Sequence, residues 1–379
     1  MFNVILLGLA SLFTDISSEM IYPLVPLYLV NVLHVNTAVL GFIEGIAESL
    51  ASLLRVFFGY FSDRLRQRKV FALIGYSTSP IGKFLLYIST SWLGVFVARF
   101  VDRFGKGVRG APRDALIADS VEPKDRGKFF GLHRTMDTIG ASVGVLIVFL
   151  LLKFSTVEYR TIFLWSIFPA LLSIVFLLRV KEKRYIAFGL NHKVSFFKEF
   201  KYLDKRLKAF LLIAFIFTLG NSSNQFLILR AKSAGFSVVD VVLLYLCYNI
   251  SYGLSSYPTG LLSDKLGRKA FLVAGYFIYA VVYFCFGLNR SLNNFWWLFI
   301  FYGLYIGFTE AIEKAFISDT APKEFRASFI GLHATIVGVA LFPASLIAGL
   351  LWNWFGYQAA FYFGGAMGIL ASVGLLIFI

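Results

Sequence analysis

The sequence predicts an all-α membrane protein, twelve transmembrane helices arranged as two six-helix halves. Three observations predict it. The 379 residues are 58% hydrophobic and only 15% charged, with a mean hydropathy of +0.76, whereas soluble domains carry about a quarter charged residues. Apolar stretches of the roughly 20 residues that a spanning helix requires recur along the whole chain. The second half then repeats short polar motifs of the first at an offset of about 200 residues.

The predicted spans are 4–32, 37–61, 70–89, 91–118, 129–152, 161–178, 209–229, 239–262, 270–288, 294–318, 327–351 and 358–378. The first has no basic leader and no small-residue cleavage site, and it carries Asp15 and Glu19, so it reads as a span and not as a cleaved signal. Midway, the stretch VKEKRYIAFGLNHKVSFFKEFKYLDKRL is basic and aromatic, which predicts a linker lying on the lipid surface. The expected division is an N-terminal bundle over 1–180, a basic linker over 181–207 and a C-terminal bundle over 208–379. Cys247 and Cys285 lie in apolar stretches without metal or redox spacing, so neither metal nor cofactor is expected.

Thirty-six Lys and Arg against 21 Asp and Glu give a net charge of +15. In a soluble protein that would suggest nucleic acid; here the location of the charges decides. With a cytoplasmic N-terminus, 22 basic residues fall in inner loops, five in outer loops and nine within spans. This bias predicts a plasma (inner) membrane protein with both termini in the cytoplasm, and nucleic acid is excluded as a partner.

The repeat is in register. Gly59-Tyr60-Phe61-Ser62-Asp63-Arg64-Leu65 answers Gly260-Leu261-Leu262-Ser263-Asp264-Lys265-Leu266, and Ala115 to Ser120 answers Ala315 to Thr320. Gly131-Leu132-His133 answers Gly331-Leu332-His333. Both halves have an even number of spans and keep the same topology, an arrangement that puts a binding site between them near the midplane.

At these residues the sequence resembles the major facilitator superfamily of secondary transporters, over its whole length. The superfamily's loop signature is matched closely by Gly260, Asp264, Lys265, Gly267, Arg268 and Lys269; in the first copy Arg66 and Gln67 replace the second Gly and the following Arg. The resemblance implies a latch in which these loops pair with Asp119 and Asp319, holding the inner gate shut while the outer one is open. It also makes Arg99, 20 residues before Asp119, the membrane arginine linked to proton coupling. In the fifth span, Gly131, Gly140 and Gly144 begin the superfamily's antiporter signature, but Val145 stands where Pro is expected.

Ionisable residues inside spans are expensive and mark function by default. In the fourth span Arg99, Asp102, Arg103, Lys106, Arg109, Arg113 and Asp114 fall within an arc of roughly 140° at 100° per residue, a stripe that must face helices or water. Asp15 and Glu19 on the first span, and Glu44 and Glu48 on the second, are each one turn apart. A carboxylate that is dry in one state and meets an arginine in another can bind and release a proton. These four acids with Arg99 are therefore the proton-coupling candidates. The second half substitutes neutral hydrogen-bonding groups for charge. Its Asn221, Asn224, Tyr245, Asn249 and Glu310, with Arg103, Lys106 and Arg109 from the first half, are the substrate-cavity candidates. Glu313-Lys314 reverses the signs of Arg113-Asp114 at the equivalent place, which suggests pairing between halves when the inner gate closes. The gate and latch set is Asp63, Arg64, Arg113, Asp119, Asp264, Arg268, Glu313 and Asp319.

The expected function is alternating-access transport of a small organic solute, proton-coupled, with export as drug or metabolite antiport favoured. An organic-anion or organophosphate uptake carrier or exchanger is the alternative, and a non-transporting sensor a remote one. No nucleophile and base pair and no Gly-rich phosphate loop is present, so no enzyme is expected. The expected partners are the solute, protons and the bilayer, for a monomer.

Overall fold

The computed structural model describes residues 2–65, 67–122, 126–182, 204–321 and 326–379, apart from the side chains of Asp63, 126–128 and 326–328. Most of the expected linker lies outside the described residues. At its end the chain is helical from Lys205, with the Asp204 carboxylate accepting from the Arg206 amide at 2.8 Å.

Span 1 comprises Phe2–Ile21, a short helix Val25–Leu27 and a π-helical turn Tyr28–Val32. Spans 2 to 5 are Thr37–Leu65, Arg68–Ile88, Trp92–Asp119 and Arg126–Phe154, and span 6 is Tyr159–Trp165 with Ile167–Leu178. Span 7 is Lys205–Gly220 with Gln225–Ser233, and spans 8 to 12 are Val238–Leu266, Arg268–Leu288, Leu292–Thr320, Arg326–Phe355 and Tyr357–Phe378. No strand occurs among the described residues. Among the described residues, ten of the spans are long and apolar enough to cross a membrane. Spans 3 and 4 fall short because Lys83 and a short polar run dilute the one, and ionised residues crowd the other.

Two spans are broken near their middle. Span 1 opens at 22–24, where Pro23 lacks the N–H that would continue the ladder. Span 7 opens at 221–224, Asn-Ser-Ser-Asn, whose side chains compete with the backbone for its hydrogen bonds. The freed groups find partners elsewhere: Tyr279 donates to the Gly220 carbonyl at 2.7 Å, and the Ser223 amide donates to Ser345 Oγ at 3.2 Å. The breaks are repeat-related, and the short helices that follow them, Val25–Leu27 and Gln225–Ser233, pack on each other.

Within the first half span 3 packs on 4 and 6, span 2 on 4, and span 1 on 5 and 6; the second half repeats each pairing as 9 on 10 and 12, 8 on 10, and 7 on 11 and 12. The halves meet through spans 2 and 11, through spans 5 and 8, and through Val25–Leu27 of span 1 against Gln225–Ser233 of span 7. A pseudo-twofold axis exchanges the first two contacts and maps the third onto itself.

The 2/11 contact is close from one end to the middle of span 2. A Cβ on Gly41 would lie 2.2 Å from the Ser345 carbonyl oxygen, and one on Gly349 would lie 2.5 Å from that of Thr37. Thr37 donates to the Gly349 carbonyl at 3.1 Å, Ser49 to that of Gly338, and Ser52 to that of Ala334 at 3.0 Å. Leu24, Val25, Leu27, Leu40, Ile228, Val241 and Val242, at the same end, are buried. Toward the end that carries the 65–68 and 266–268 loops, called the basic end below, the halves separate. There a Cβ on Gly131, Gly260 or Gly331 would meet nothing within 4 Å.

Candidate functional site

Between the halves, near the two helix breaks, lies a cavity with two lobes. One, of about 330 Å³, is walled by Asp15, Glu19, Glu48, Asp137 and Glu310 together with Arg103, Lys106 and Arg134, and by Tyr22, Tyr245, Tyr248, Asn249 and Tyr252. The other, of about 320 Å³, is walled by Asn221, Ser222, Ser223, Asn224, Tyr302, Tyr305, Thr309 and Glu313. Tyr22, Glu48, Asn224, Ile306 and Glu310 belong to both. A larger groove, of about 800 Å³, runs along spans 9 and 10, but its wall is made of lipid-facing side chains such as Phe277, Val281 and Trp297. The ionisable and hydrogen-bonding side chains gather instead in the central cavity.

The first lobe is charged because span 4 cannot bury its cations without partners. Arg99 grips Glu44 with two hydrogen bonds, Nε to Oε1 at 2.8 Å and Nη2 to Oε2 at 2.7 Å, and neither side chain is more than 3% exposed. One turn on, Arg103 Nη2 lies 3.1 Å from Glu48, which is 25% exposed toward the cavity. Behind them Lys83 lies 3.4 Å from Asp102 and donates to Ser79. The stripe thus divides: Arg103 and Lys106 reach the cavity, while Glu44 with Arg99 is enclosed between spans 2 and 4. Arg109 does not line the cavity as expected. It is buried with its guanidinium 4.7 Å from the centre of the Tyr76 ring, because the helix turns it toward span 3.

The second lobe shares Glu48 and Glu310 with the first and adds Glu313, and the rest of its polar wall is uncharged and hydrogen-bonded. Tyr302 donates to Asn224 Oδ1 at 2.7 Å, Asn224 donates to the Tyr248 hydroxyl at 3.2 Å, and Asn221 donates to the Tyr305 hydroxyl at 3.0 Å. Tyr245 reaches across and donates to Glu19 Oε2 at 3.0 Å, with its ring stacked on Tyr22 at 5.6 Å. The structure therefore brings Asp15, Glu19, Glu48, Arg103, Lys106, Asn221, Asn224, Tyr245, Asn249 and Glu310 to one cavity. Sequence reasoning missed Tyr248, Tyr252, Arg134 and Asp137 as cavity residues. Tyr245, Tyr248 and Tyr252 at spacings of three and four on one face were the available signal.

At the basic end, Arg268 pairs with Asp264 and, through Nε at 3.3 Å, with Asp319. In the first half Arg68 pairs with Asp119. This corrects the sequence alignment of the loops, which set Gln67 opposite Arg268: span 3 starts at Arg68 as span 9 starts at Arg268, so the first loop carries one extra residue and keeps its arginine. Arg64 is exposed, and the Asp63 side chain lies outside the described residues. Arg113 and Glu313 are not partnered here. Arg113 holds Asp114 at 2.8 Å and Ser11 at 3.0 Å, while Glu313 accepts from Tyr276 at 2.9 Å and lies 3.5 Å from His333. Among the described residues, the ion pair that joins the halves is Arg134 with Glu310, at 3.1 Å.

The family model of the Major Facilitator Superfamily matches residues 7–245 and again 210–379. An MFS-type transporter of Methanocaldococcus jannaschii, MJ1317, itself uncharacterised, is 39% identical over 383 residues, covering 100% of this chain and 94% of the relative. The quinolone resistance protein NorA of Staphylococcus aureus (strain Mu50) is 26% identical over 148 residues, 39% of this chain and 38% of that protein. Among solved structures, a point mutant of the nucleoside transporter NupG superposes with a TM-score of 0.84 at 14% identity, covering 100% of both chains.

Proposed function

The chain belongs to the major facilitator superfamily and is an integral multi-pass membrane protein, and from that premise we propose that it exports a neutral or cationic organic solute in exchange for protons. The observation that carries this reading is the wall of the central cavity. In the charged lobe five carboxylates face three cations, a balance that favours cations and neutral solutes over organic anions. The tyrosine and asparagine lobe supplies apolar faces with fixed hydrogen-bonding edges, which suit an amphipathic ligand.

In this reading Asp15, Glu19 and Glu48 are the proton carriers, since they combine partial burial with cavity access and with Arg103 and Lys106 close by. Arg99 and Glu44 stand behind them as a fixed pair that sets the position of span 2 against span 4. The positive-inside bias puts the basic end in the cytoplasm, so the cavity described above is open inward. Units 1–180 and 208–379 rock about the site, and 181–207 links them. The latches formed by Arg68 with Asp119 and Arg268 with Asp319 tie spans 3 and 4, and 9 and 10, into units at the inner surface. The likeness to a quinolone resistance protein over part of the chain supports export, and we read the working form as a monomer in the plasma membrane.

The test is transport by purified protein in proteoliposomes with an imposed proton gradient, over a panel of lipophilic cations, neutral amphipaths and organic anions. Gradient-driven movement of cations or neutral solutes is expected. Movement that ignores the gradient removes proton coupling, and a preference for anions removes the substrate reading.

A further inference from the structure

Arg134 reaches from span 5 into the cavity, and its Nη2 lies 3.1 Å from both carboxylate oxygens of Glu310 on span 10. The same nitrogen donates to the Tyr252 hydroxyl on span 8, which donates in turn to Glu310. The guanidinium carbon is 5.6 Å from the centre of the Tyr252 ring. Lys314, one turn along span 10, is 3.7 Å from Glu310, and Asp137 lies three residues beyond Arg134 on span 5.

Three features characterise this pair. It is wet, with the Arg134 and Glu310 side chains 54% and 39% exposed, so it adds little stability and cancels no burial as Arg99 and Glu44 do. It is asymmetric: the repeat puts Ala334 where Arg134 stands and Gly110 where Glu310 stands, so pseudo-symmetry does not account for it. Its chemistry, a carboxylate beside a phenol ring, is that of a receptor for an organic ammonium or guanidinium. Tyr22, Tyr245 and Tyr248 continue the aromatic surface from that point.

We propose that Arg134 is an internal stand-in for the cationic head of the transported solute, an amphipathic organic cation that displaces it from Glu310 and Tyr252. The inference rests on the central cavity being the solute pathway and names the class of solute. Displacing Arg134 removes a bond between the halves at the moment the solute binds, which ties occupancy to the freedom of the halves to rock. The empty carrier stays bridged, and the bridge lowers the fraction of carrier competent to bind.

The test is equilibrium binding of tetraphenylphosphonium to the purified full-length protein in detergent. Arg134→Ala is expected to bind it about three- to tenfold more tightly than wild type, because the competitor is gone. Arg134→Lys should stay near wild type, and Glu310→Gln should bind about tenfold more weakly. Unchanged or weaker binding by Arg134→Ala, unchanged binding by Glu310→Gln, or no binding by the wild type each overturns the proposal. If Arg134→Ala does not give monodisperse protein, Arg134→Gln carries the same comparison. Failure of the transport reading shows separately, as wild-type proteoliposomes that move no solute of the panel while binding is still measured.

Discussion

Glu44 and Glu48 stand one turn apart on span 2, opposite Arg99 and Arg103 on span 4. From the sequence they are equivalent; in the structure Glu44 and Arg99 are sealed, whereas Glu48 and Arg103 border the cavity. Removing one member of a sealed pair leaves a buried charge without compensation, at a cost of about 3–5 kcal/mol. Arg99→Ala is therefore expected to lower the thermal unfolding temperature markedly, and Arg99→Met with Glu44→Leu to recover much of it. Glu48→Gln, whose amide can still accept from Arg103 at a part-exposed position, is expected to cost about 1 kcal/mol or less while weakening the proton dependence of transport. Comparable unfolding temperatures for Arg99→Ala and wild type would put the sealed pair's structural role in error. Residue type and spacing made all four side chains candidates, but water access, which separates structural from working charge, depends on what the neighbouring helices cover.

At the scale of the element, the spans and their order were legible because apolar length is a local property. The breaks in spans 1 and 7 were partly legible, through Pro23 and through the polar run from Asn221 to Asn224. What that run does, namely present Asn221 and Asn224 to Tyr305, Tyr248 and Tyr302, needed the packing of spans 8 and 10. The one-residue difference between the loops before spans 3 and 9 was misread because a motif aligned from its glycine cannot show where the next helix starts. The contact of spans 2 and 11 gives a prediction of its own. Gly349→Leu puts a side chain where the Thr37 carbonyl lies 2.5 Å away, so it should force the closed end apart without unfolding either half. In a background with Cys247 and Cys285 replaced by Ser, a cysteine at Thr37 should react with an impermeant maleimide from outside only when Gly349→Leu is present, and transport should be lost. Equal labelling with and without the change would show that this contact does not hold the end closed.

For the whole molecule, the pairings inside one half reappear in the other, and the halves are held together by two helix contacts exchanged by the pseudo-twofold and by the contact of spans 1 and 7. A body of this kind can open at one end as it closes at the other by pivoting on contacts near its middle. Closing the basic end would bring the inner parts of spans 4 and 10 together, and Arg113 and Glu313, apart in the structure, lie on those parts. If they pair in the other state, Arg113→Glu should reduce transport severely, and Arg113→Glu with Glu313→Arg should restore a substantial part of it. Absence of any restoration in the proteoliposome assay would remove the pairing from the cycle.

The sequence by itself determined the membrane class, the count and order of the helices, the internal repeat and the set of intramembrane charges, because hydrophobic length and motif spacing are written along one dimension. Tertiary structure decided which charges neutralise each other and which are left facing water. Arg134 and Glu310 are 176 residues apart and Glu19 and Tyr245 are 226 apart; their meeting depends on how two packed halves are set against each other. The free energy of a charge in a membrane protein depends on its distance to partners and to water, and those distances exist only once the helices have assembled.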